Sequence, residues 1–249
     1  MQSFFSSKRM GLYQTIIQKK ALGQKQFAVL IDPEKSSLSH LETLLKKVEK
    51  AQVDMILLGG STMESSSELI LSQIRRLADK PVILFPGNVS QITPGVDAIF
   101  FLSLISGRNP DYLIGHHVKA APLLKGMEVI PVAYLLLDGG RLSATQRVSR
   151  TEPLSCQDVD LIVHTALAGQ MLGHKMVYLE AGSGAKVPVP EQVIKAVRAQ
   201  IEVPLIVGGG LKNAGDIEAA YRSGADVVVV GNALEHNPDL LLQLSPQKS

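Results

Sequence analysis

The sequence predicts one α/β domain spanning residues 1–249 and folded as a (β/α)8 barrel. Eight short runs rich in valine, isoleucine and leucine recur along the chain, and segments with helical periodicity separate them. None of the runs alternates polar and apolar residues, which indicates parallel strands covered on both faces. A chain of 249 residues has the usual size of a TIM barrel, and eight strands in β-α-β-α order favour closure over an open sheet.

The predicted strands are continuous apolar runs. In chain order they are FAVLID (27–32), MILLGG (55–60), PVILF (81–85), AIFFL (98–102), VIPVAYLLL (129–137), MVYLEAG (176–182), PLIVGGG (204–210) and VVVVG (227–231). In such a barrel the carboxyl ends of the strands form the rim that binds ligands. The residues at the ends of these runs are therefore the candidates for a functional site.

Helices are predicted between most of the strands. They comprise 39–50, 64–78, 158–172, a segment opened by Pro190 and a segment capped by Asn213. The connection PGNVSQITPGVD (86–97) is the exception, because its prolines and glycines break any regular helix. We therefore expect a loop in place of the third helix.

Composition excludes several classes of protein. Apolar residues make up 45% of the chain and charged residues 19%, which excludes disorder. The net charge of +2 is dispersed and predicts no nucleic-acid partner, and the single cysteine, Cys156, cannot form an internal disulfide. No apolar run reaches the ~20 residues of a membrane span, and the first residues do not resemble a signal peptide. We expect a soluble, cytoplasmic protein.

Two glycine-containing strand ends predict a phosphate site. Gly208, Gly209 and Gly210 end the seventh strand, and Gly231 with Asn232 ends the eighth. Glycine lets backbone N–H groups approach a ligand, and the start of a helix favours negative charge. Because many barrels bind phosphate after strands seven and eight, a phosphate cradle is the favoured interpretation. Tight turns with an ordinary Asn cap are the alternative.

Glu180 interrupts the apolar sixth strand, where a carboxylate without a partner is costly to bury. Beside a phosphate cradle it is a candidate to accept hydrogen bonds from substrate hydroxyls or to act as a general base. A structural salt bridge is the alternative, since buried charges are usually paired.

Asp32 ends the first strand, and Ser61 and Thr62 follow the second. A carboxylate and a hydroxyl on adjacent strands offer the hard oxygen ligands of Mg²⁺, which typically keeps waters and bridges to phosphate oxygens. A turn cap at Asp32 and helix caps at the two hydroxyl residues are the alternatives.

Other polar residues are weaker candidates. Loop 138–150 carries three arginines, Arg141, Arg147 and Arg150, and is interpreted either as a flap that meets anionic groups or as a solvated loop. Nothing in the sequence marks Lys35 as a desolvated nucleophile. The histidines predicted on helix surfaces or in packing contacts are His116, His117, His164 and His174.

Eight pieces of the chain, in family order, resemble the geranylgeranylglyceryl phosphate synthase family and its bacterial relatives. They are FAVLIDPEK, LLGGST, LFPG, FFLSLISGRNP, AYLLLDGG, YLEAGSGA, VGGGL and GNALE. VGGGL occurs in many barrels, whereas LIDPEK together with YLEAGSGA is specific. Members of this family are similar to barrels without a regular third helix, as segment 86–97 predicts here.

The resemblance implies a prenyltransferase that joins the 3-hydroxyl of sn-glycerol 1-phosphate to geranylgeranyl diphosphate and releases diphosphate with the help of Mg²⁺. It implies that Asp32 and Ser61 bind the metal and that Glu180 and Asp32 are the catalytic residues. The substrate pocket it implies comprises Tyr178, Leu179, Glu180, Ala181, Gly182, Ser183, Gly184, Gly209, Gly210, Gly231 and Asn232.

The resemblance also bears on the partners. It implies a homo-oligomer, and a product that is a lipid precursor makes peripheral membrane contact a hypothesis. The sequence leaves the length of the prenyl tail open. The candidates to line a groove for the tail are Phe85, Phe100, Phe101, Leu102 and Tyr134. Packing in the hydrophobic core explains most of these residues equally well.

Two other functions remain open on the sequence alone. One is an isomerase or lyase that acts on a phosphorylated metabolite, with Lys35 or Glu180 as its base. The other is a non-catalytic barrel that binds phosphate or flavin.

Overall fold

The chain forms a closed barrel of eight parallel strands, seen in a computed structural model that describes residues 10–35, 37–60 and 67–245. The strands are β1 (Gln26–Ile31), β2 (Met55–Leu58), β3 (Val82–Leu84), β4 (Ala98–Leu104), β5 (Glu128–Leu136), β6 (Met176–Glu180), β7 (Leu205–Gly208) and β8 (Val227–Val230). Each strand pairs with the next, and β8 closes the barrel on β1 through partners such as Phe27 and Val228. The predicted fold class is confirmed.

Helices surround the barrel and precede or follow its strands. They are α1 (Leu12–Ala21), α2 (Leu38–Val48), α3 (Glu68–Leu77), α4 (His116–Ala120), α5 (Ala144–Ser149), α6 (Val159–Met171), α7 (Glu191–Gln200), α8 (Ala214–Arg222), α9 (Asn232–His236) and α10 (Leu240–Leu244). Pro190 precedes α7, and the Asn213 side chain caps α8 by accepting the N–H of Asp216 at 2.9 Å, as predicted. None of the described helices is long and apolar enough to span a bilayer.

No α-helix lies between β3 and β4, which is the connection where the sequence predicts a loop in place of a helix. Only a 3-10 turn, Val89–Gln91, lies between β3 and β4. The outward side chains of Leu84 and Ile99 are instead covered by Ala120 and Leu124, which come from the chain after β4. That chain folds as a π-helical turn (Asp111–Gly115), α4 and a 3-10 turn (Ala121–Leu124).

Helix α1 closes the amino-terminal end of the barrel, a feature that the sequence analysis did not predict. Its Ile16 is fully buried among side chains of the barrel interior. The carboxylate of Glu128 accepts hydrogen bonds from the backbone N–H groups of Leu12 and Tyr13 at 2.7 and 2.9 Å, which satisfies unpaired donors at the start of α1. Ligands therefore have access to the barrel from the opposite mouth.

Side chains of each strand alternate between the barrel interior and the layer of helices. Tyr178 on β6 belongs to the interior cluster, whereas Val177 and Leu179 pack in the outer cluster with the helices. The same alternation turns Glu180, at the end of β6, towards the mouth of the barrel.

Replacing Ile16 with alanine tests the closure of the barrel by α1. We expect Ile16→Ala to lower the free energy of unfolding by about 2–5 kcal/mol, because it leaves a cavity in a fully buried site. Leu22→Ala, at a side chain 72% exposed, is the control and should change stability by less than about 0.5 kcal/mol. Urea titrations measure both values, and equal losses in the two variants would contradict this role of Ile16.

Candidate active site

A cavity of about 850 Å³ opens at the carboxyl ends of the strands. It brings together residues from the ends of β1, β6, β7 and β8, although β1 is far from the other three strands in the sequence. The predicted site residues that line it are Asp32, Tyr178, Glu180, Gly182, Ser183, Gly184, Gly209, Gly210, Gly231 and Asn232.

Some of the predicted residues are not brought to the cavity. Leu179 and Ala181 are buried in the outer cluster, because the alternation along β6 turns their side chains towards the helices. A binding role for their backbone groups stays a prediction. Ser61 and Thr62, the expected hydroxyl residues of the metal site, lie outside the described residues.

Glu180 lines the cavity from the end of β6. Its side chain is buried, and Oε1 accepts a hydrogen bond of 2.7 Å from the backbone N–H of Gly182. Burial raises the pKa of Glu180 from its ordinary value of 4.5 to about 7, and the Tyr178 hydroxyl and the Gly182 N–H offset part of that effect. Among the described residues, no Lys, Arg or His forms an ion pair with Glu180, so a structural salt bridge is not found there.

Gly209 makes the room that the Glu180 carboxyl group needs. Its φ is +80°, and a Cβ atom there would collide with Oε1 of Glu180 and lie 2.8 Å from the backbone N of Gly182. Gly210 follows with a φ of +72°. We call Gly209, Gly210, Gly231 and Asn232 the glycine rim. The glycine rim and the carboxyl group therefore share one wall of the cavity.

Three aromatic rings cluster where the cavity meets the barrel interior. The ring centroids of Phe85, Tyr134 and Tyr178 lie 5.2–6.1 Å from one another. Burial, with the nearby Glu180 as a further cause, raises the pKa of both tyrosines well above 10, so both stay neutral. The Tyr178 hydroxyl oxygen is buried near Glu180 and has no hydrogen-bond partner among the described residues.

Asp32 lies on the other side of the cavity, at the end of β1. Oδ1 accepts the backbone N–H of Glu34 at 3.1 Å, and Oδ2 lies 3.2 Å from Nζ of Lys35. A Cβ atom on Gly60 would lie 2.6 and 2.8 Å from the two carboxylate oxygens, so the carboxylate packs directly over the backbone at the end of β2.

Lys35 connects Asp32 to the glycine rim. Its Nζ lies 3.3 Å from Oε1 of Glu235, and Oε2 of Glu235 accepts a hydrogen bond of 2.8 Å from Nδ2 of Asn232. Burial by itself would lower the pKa of Lys35, but Glu235 and Asp32 together hold it above its ordinary value. Lys35 is therefore a protonated ion-pair partner and not a free amine.

A narrow apolar groove joins the cavity on the side of β3 and β4. Phe85 and Tyr134 line both spaces, so the polar cavity and the apolar groove are continuous. All five residues predicted to surround a prenyl tail line the groove: Phe85, Phe100, Phe101, Leu102 and Tyr134. Its wall also contains His117, whose Nε2 lies 3.1 Å from Oγ of Ser103 and whose pKa is lowered by burial.

Four further cations line the cavity, and the sequence singled out none of them individually as a site residue. Arg147, Lys186 and Lys212 line it, and Arg141 does so from the loop after β5. The only signal was the arginine content of loop 138–150, which did not say which arginines face the cavity. Lys186 and Lys212 each lie one residue beyond a segment already considered, YLEAGSGA and VGGGL, and carried no signal of their own.

Comparison with known proteins identifies the family. Residues 18–245 match the PcrB family. The chain belongs to this family. A PcrB-family relative from Flavobacterium johnsoniae, named geranylgeranylglyceryl phosphate synthase, is 48% identical over 91% of this chain and 94% of its own length. A relative of the same name from Zunongwangia profunda is 50% identical over 89% of this chain and 95% of its own length.

A solved structure of similar fold comes from Thermoplasma acidophilum. It is an (S)-3-O-geranylgeranylglyceryl phosphate synthase in complex with its substrate sn-glycerol 1-phosphate. It is 34% identical to this PcrB-family chain with a TM-score of 0.88, and the match covers 95% of this chain and 97% of the other. The family resemblance seen in the sequence is thereby confirmed.

The buried carboxyl group of Glu180 predicts an unusual dependence of stability on pH. Since its folded pKa of about 7 exceeds the unfolded value near 4.5, the folded chain keeps a proton that the unfolded chain loses between these values. Raising the pH from about 5 to about 8 should therefore lower the free energy of unfolding of the wild type. The decrease should be about 3 kcal/mol larger than in Glu180→Gln, which has no carboxyl group at this position.

Urea titrations of both proteins across this pH range measure the difference. Glu202→Gln, a substitution of an exposed glutamate, is the control and should follow the wild type. If the stabilities of the wild type and Glu180→Gln change in parallel with pH, the pKa of Glu180 is not raised in the folded chain.

Proposed function

We propose that this PcrB-family chain joins the 3-hydroxyl of sn-glycerol 1-phosphate to C1 of geranylgeranyl diphosphate, forming geranylgeranylglyceryl phosphate and diphosphate, with assistance from Mg²⁺. The observation that carries the proposal is the junction at Phe85 and Tyr134. There a cavity with a buried carboxyl group and a glycine rim meets an apolar groove. One mouth thus offers separate surfaces for a phosphorylated alcohol and for a hydrocarbon tail.

The glycine rim would bind the phosphate of the alcohol substrate. Its backbone N–H groups lie at the ends of β7 and β8, where barrels commonly bind phosphate. The glycerol hydroxyls would then face Glu180 and the Tyr178 hydroxyl, whose buried oxygen has no hydrogen bond to a described residue. This placement holds the nucleophilic hydroxyl next to the group that can accept its proton.

Glu180 is suited to accept that proton. In the proposed reaction the 3-hydroxyl oxygen forms a bond to C1 of the prenyl group, and the bond from C1 to the diphosphate oxygen breaks. The electron pair of the broken bond leaves with diphosphate, and the hydroxyl proton moves to the Glu180 carboxylate. A pKa of about 7 gives this carboxyl group both protonation states near neutral pH.

The apolar groove would hold the prenyl tail. Each buried methylene contributes about 0.8 kcal/mol, so the tail supplies affinity without polar contacts. The groove is narrow, and a long tail requires the side chains along it to move apart. The rings of Phe85, Tyr134 and Tyr178 at its mouth form an environment that favours the positive charge developing on C1 as the diphosphate leaves.

Asp32 fits the requirements of Mg²⁺. Its carboxylate is a hard oxygen donor that faces the cavity, and Mg²⁺ is usually held by one or two carboxylates together with waters and substrate phosphates. Bound there, the ion would act as a Lewis acid that neutralises charge on the departing diphosphate. Ser61, the second expected ligand, stays a prediction. In the described part of the chain, no three His, Cys, Asp or Glu side chains form a separate metal cluster.

The ion pairs of Lys35 disfavour an isomerase or lyase that uses Lys35 as its general base. A general base must be able to lose its proton, yet Asp32 and Glu235 hold the pKa of Lys35 above its ordinary value. No observation specifically favours a non-catalytic barrel that binds flavin or phosphate.

Replacing Asp32 with asparagine tests the metal site. With labelled sn-glycerol 1-phosphate and geranylgeranyl diphosphate, we expect the wild type to form product with Mg²⁺ and to lose activity in excess chelator. Asp32→Asn should lower kcat/KM about 100-fold or more, because an amide binds Mg²⁺ poorly. Asp160→Asn, on the exposed surface of α6, is the matched control and should retain wild-type activity. Substantial turnover by Asp32→Asn would remove Asp32 from the mechanism.

Filling the groove tests the prenyl site. Ala120 is buried, lines the groove and does not line the polar cavity. We expect Ala120→Phe to lower kcat/KM for geranylgeranyl diphosphate about 10-fold more than for geranyl diphosphate. The added ring would displace about two methylenes of the long tail, and the binding free energy lost with them corresponds to about that factor.

Leu123→Phe, at an exposed position outside the groove, is the control for the added ring. Thermal unfolding checks that the fold is retained, and Ala120→Leu replaces the larger substitution if it is not. Equal effects on the long and short substrates would place the tail elsewhere.

A further inference from the structure

Several cations of the active-site cavity have no carboxylate partner among the described residues. Arg141, Arg147, Lys186 and Lys212 all line it. Within residues 10–35, 37–60 and 67–245, none of these four side chains forms an ion pair with a carboxylate. Four cations without carboxylate partners in one cavity create a positive potential that attracts anionic ligands.

Arg141 lies on a segment that is fixed on both sides. Before it, a Cβ atom on Gly139 would collide with the backbone of Ala181, and the carbonyl of Gly139 accepts the N–H of Lys186 at 2.9 Å. After it, Ser143 is buried, caps α5 by accepting the N–H of Gln146 at 3.1 Å, and packs against Gly182. The loop after β5 is therefore docked on the loop after β6.

The guanidinium group of Arg141 reaches the glycine rim from this anchored position. Its Nη1 lies 3.0 Å from the point where a Cβ atom of Gly184 would be, and Oδ1 of Asn232 lies 3.6 Å from the same point. A Cβ atom at Gly184, whose φ is +72°, would crowd the guanidinium group. The proposed function places the phosphate of the alcohol substrate at this point, where Arg141, Gly184 and Asn232 meet.

We propose that Arg141 is a phosphate-binding residue, which grips the phosphate of sn-glycerol 1-phosphate from the side of the β5 loop while the glycine rim binds it from the other. The inference rests on the proposed function and adds a side chain to a site otherwise made of backbone groups. A guanidinium group has a planar set of donors that matches two phosphate oxygens, and such charge-assisted hydrogen bonds are stronger than neutral ones.

Calorimetric binding of sn-glycerol 1-phosphate to the full chain, without prenyl diphosphate and without Mg²⁺, tests the proposal. We expect Arg141→Ala to raise Kd about 10- to 100-fold, because a charge-assisted hydrogen-bonded pair is lost. Arg141→Lys should recover part of the affinity, since it keeps the charge but not the planar donors. Arg150→Ala removes the same charge from an exposed position of the same segment outside the cavity, and should change Kd less than twofold.

The outcomes separate this inference from the proposed function. Equal affinity of Arg141→Ala and Arg150→Ala for sn-glycerol 1-phosphate would overturn the inference, as would undetectable binding by the wild type. A loss of affinity for inorganic diphosphate alone would also overturn it and assign Arg141 to the leaving group. Failure of the proposed function would instead appear as absent prenyl transfer by a wild type that still binds sn-glycerol 1-phosphate. Circular dichroism checks folding, and Arg141→Gln replaces the alanine variant if that variant is misfolded.

Discussion

The burial of the Glu180 carboxyl group is the constraint on which the active site depends. A buried carboxylate without a cationic partner is costly, and here the cost appears as a pKa of about 7. The group fits only because Gly209 has no side chain, and it is held by the N–H of Gly182. The glycines that make room for the carboxyl group also expose the backbone N–H groups of the glycine rim. The proposed acid–base chemistry and phosphate binding therefore depend on the same few residues.

The barrel has its apolar groove because no α-helix lies between β3 and β4. A regular helix between β3 and β4 would pack on the outward side chains of these strands, including Leu84 and Ile99. In its place lie a 3-10 turn and the chain after β4, and Ile99, Val89 and Ala120 line the groove that results. The prolines and glycines of segment 86–97 thus have a direct structural consequence, the groove that the proposed function assigns to the prenyl tail.

The barrel, its missing helix and the rim residues could be predicted from sequence because each depends on local pattern. Continuous apolar runs give parallel strands, and the barrel rule then places Asp32, Glu180 and the glycine rim at one mouth. The direction of side chains was harder to predict from the sequence. Leu179 belongs to the family segment YLEAGSGA, yet the alternation along β6 turns its side chain away from the cavity. Arg141 could not be singled out among three arginines, because its place depends on the docking of the β5 loop on Ala181 and Gly182.

The proposed reaction brings two anionic substrates into one cavity, which has to offset their mutual repulsion. Among the described residues that line the cavity, Lys35, Arg141, Arg147, Lys186 and Lys212 outnumber the acidic Asp32, Glu180 and Glu235. Lys35 is neutralised by its two carboxylate partners, whereas the four other cations come from the segments that follow β5, β6 and β7. Since a protonated Glu180 adds no negative charge, the cavity is most positive below a pH of about 7. Binding of the anions is therefore favoured by the protonation state that disfavours proton acceptance, and the two requirements balance near neutral pH.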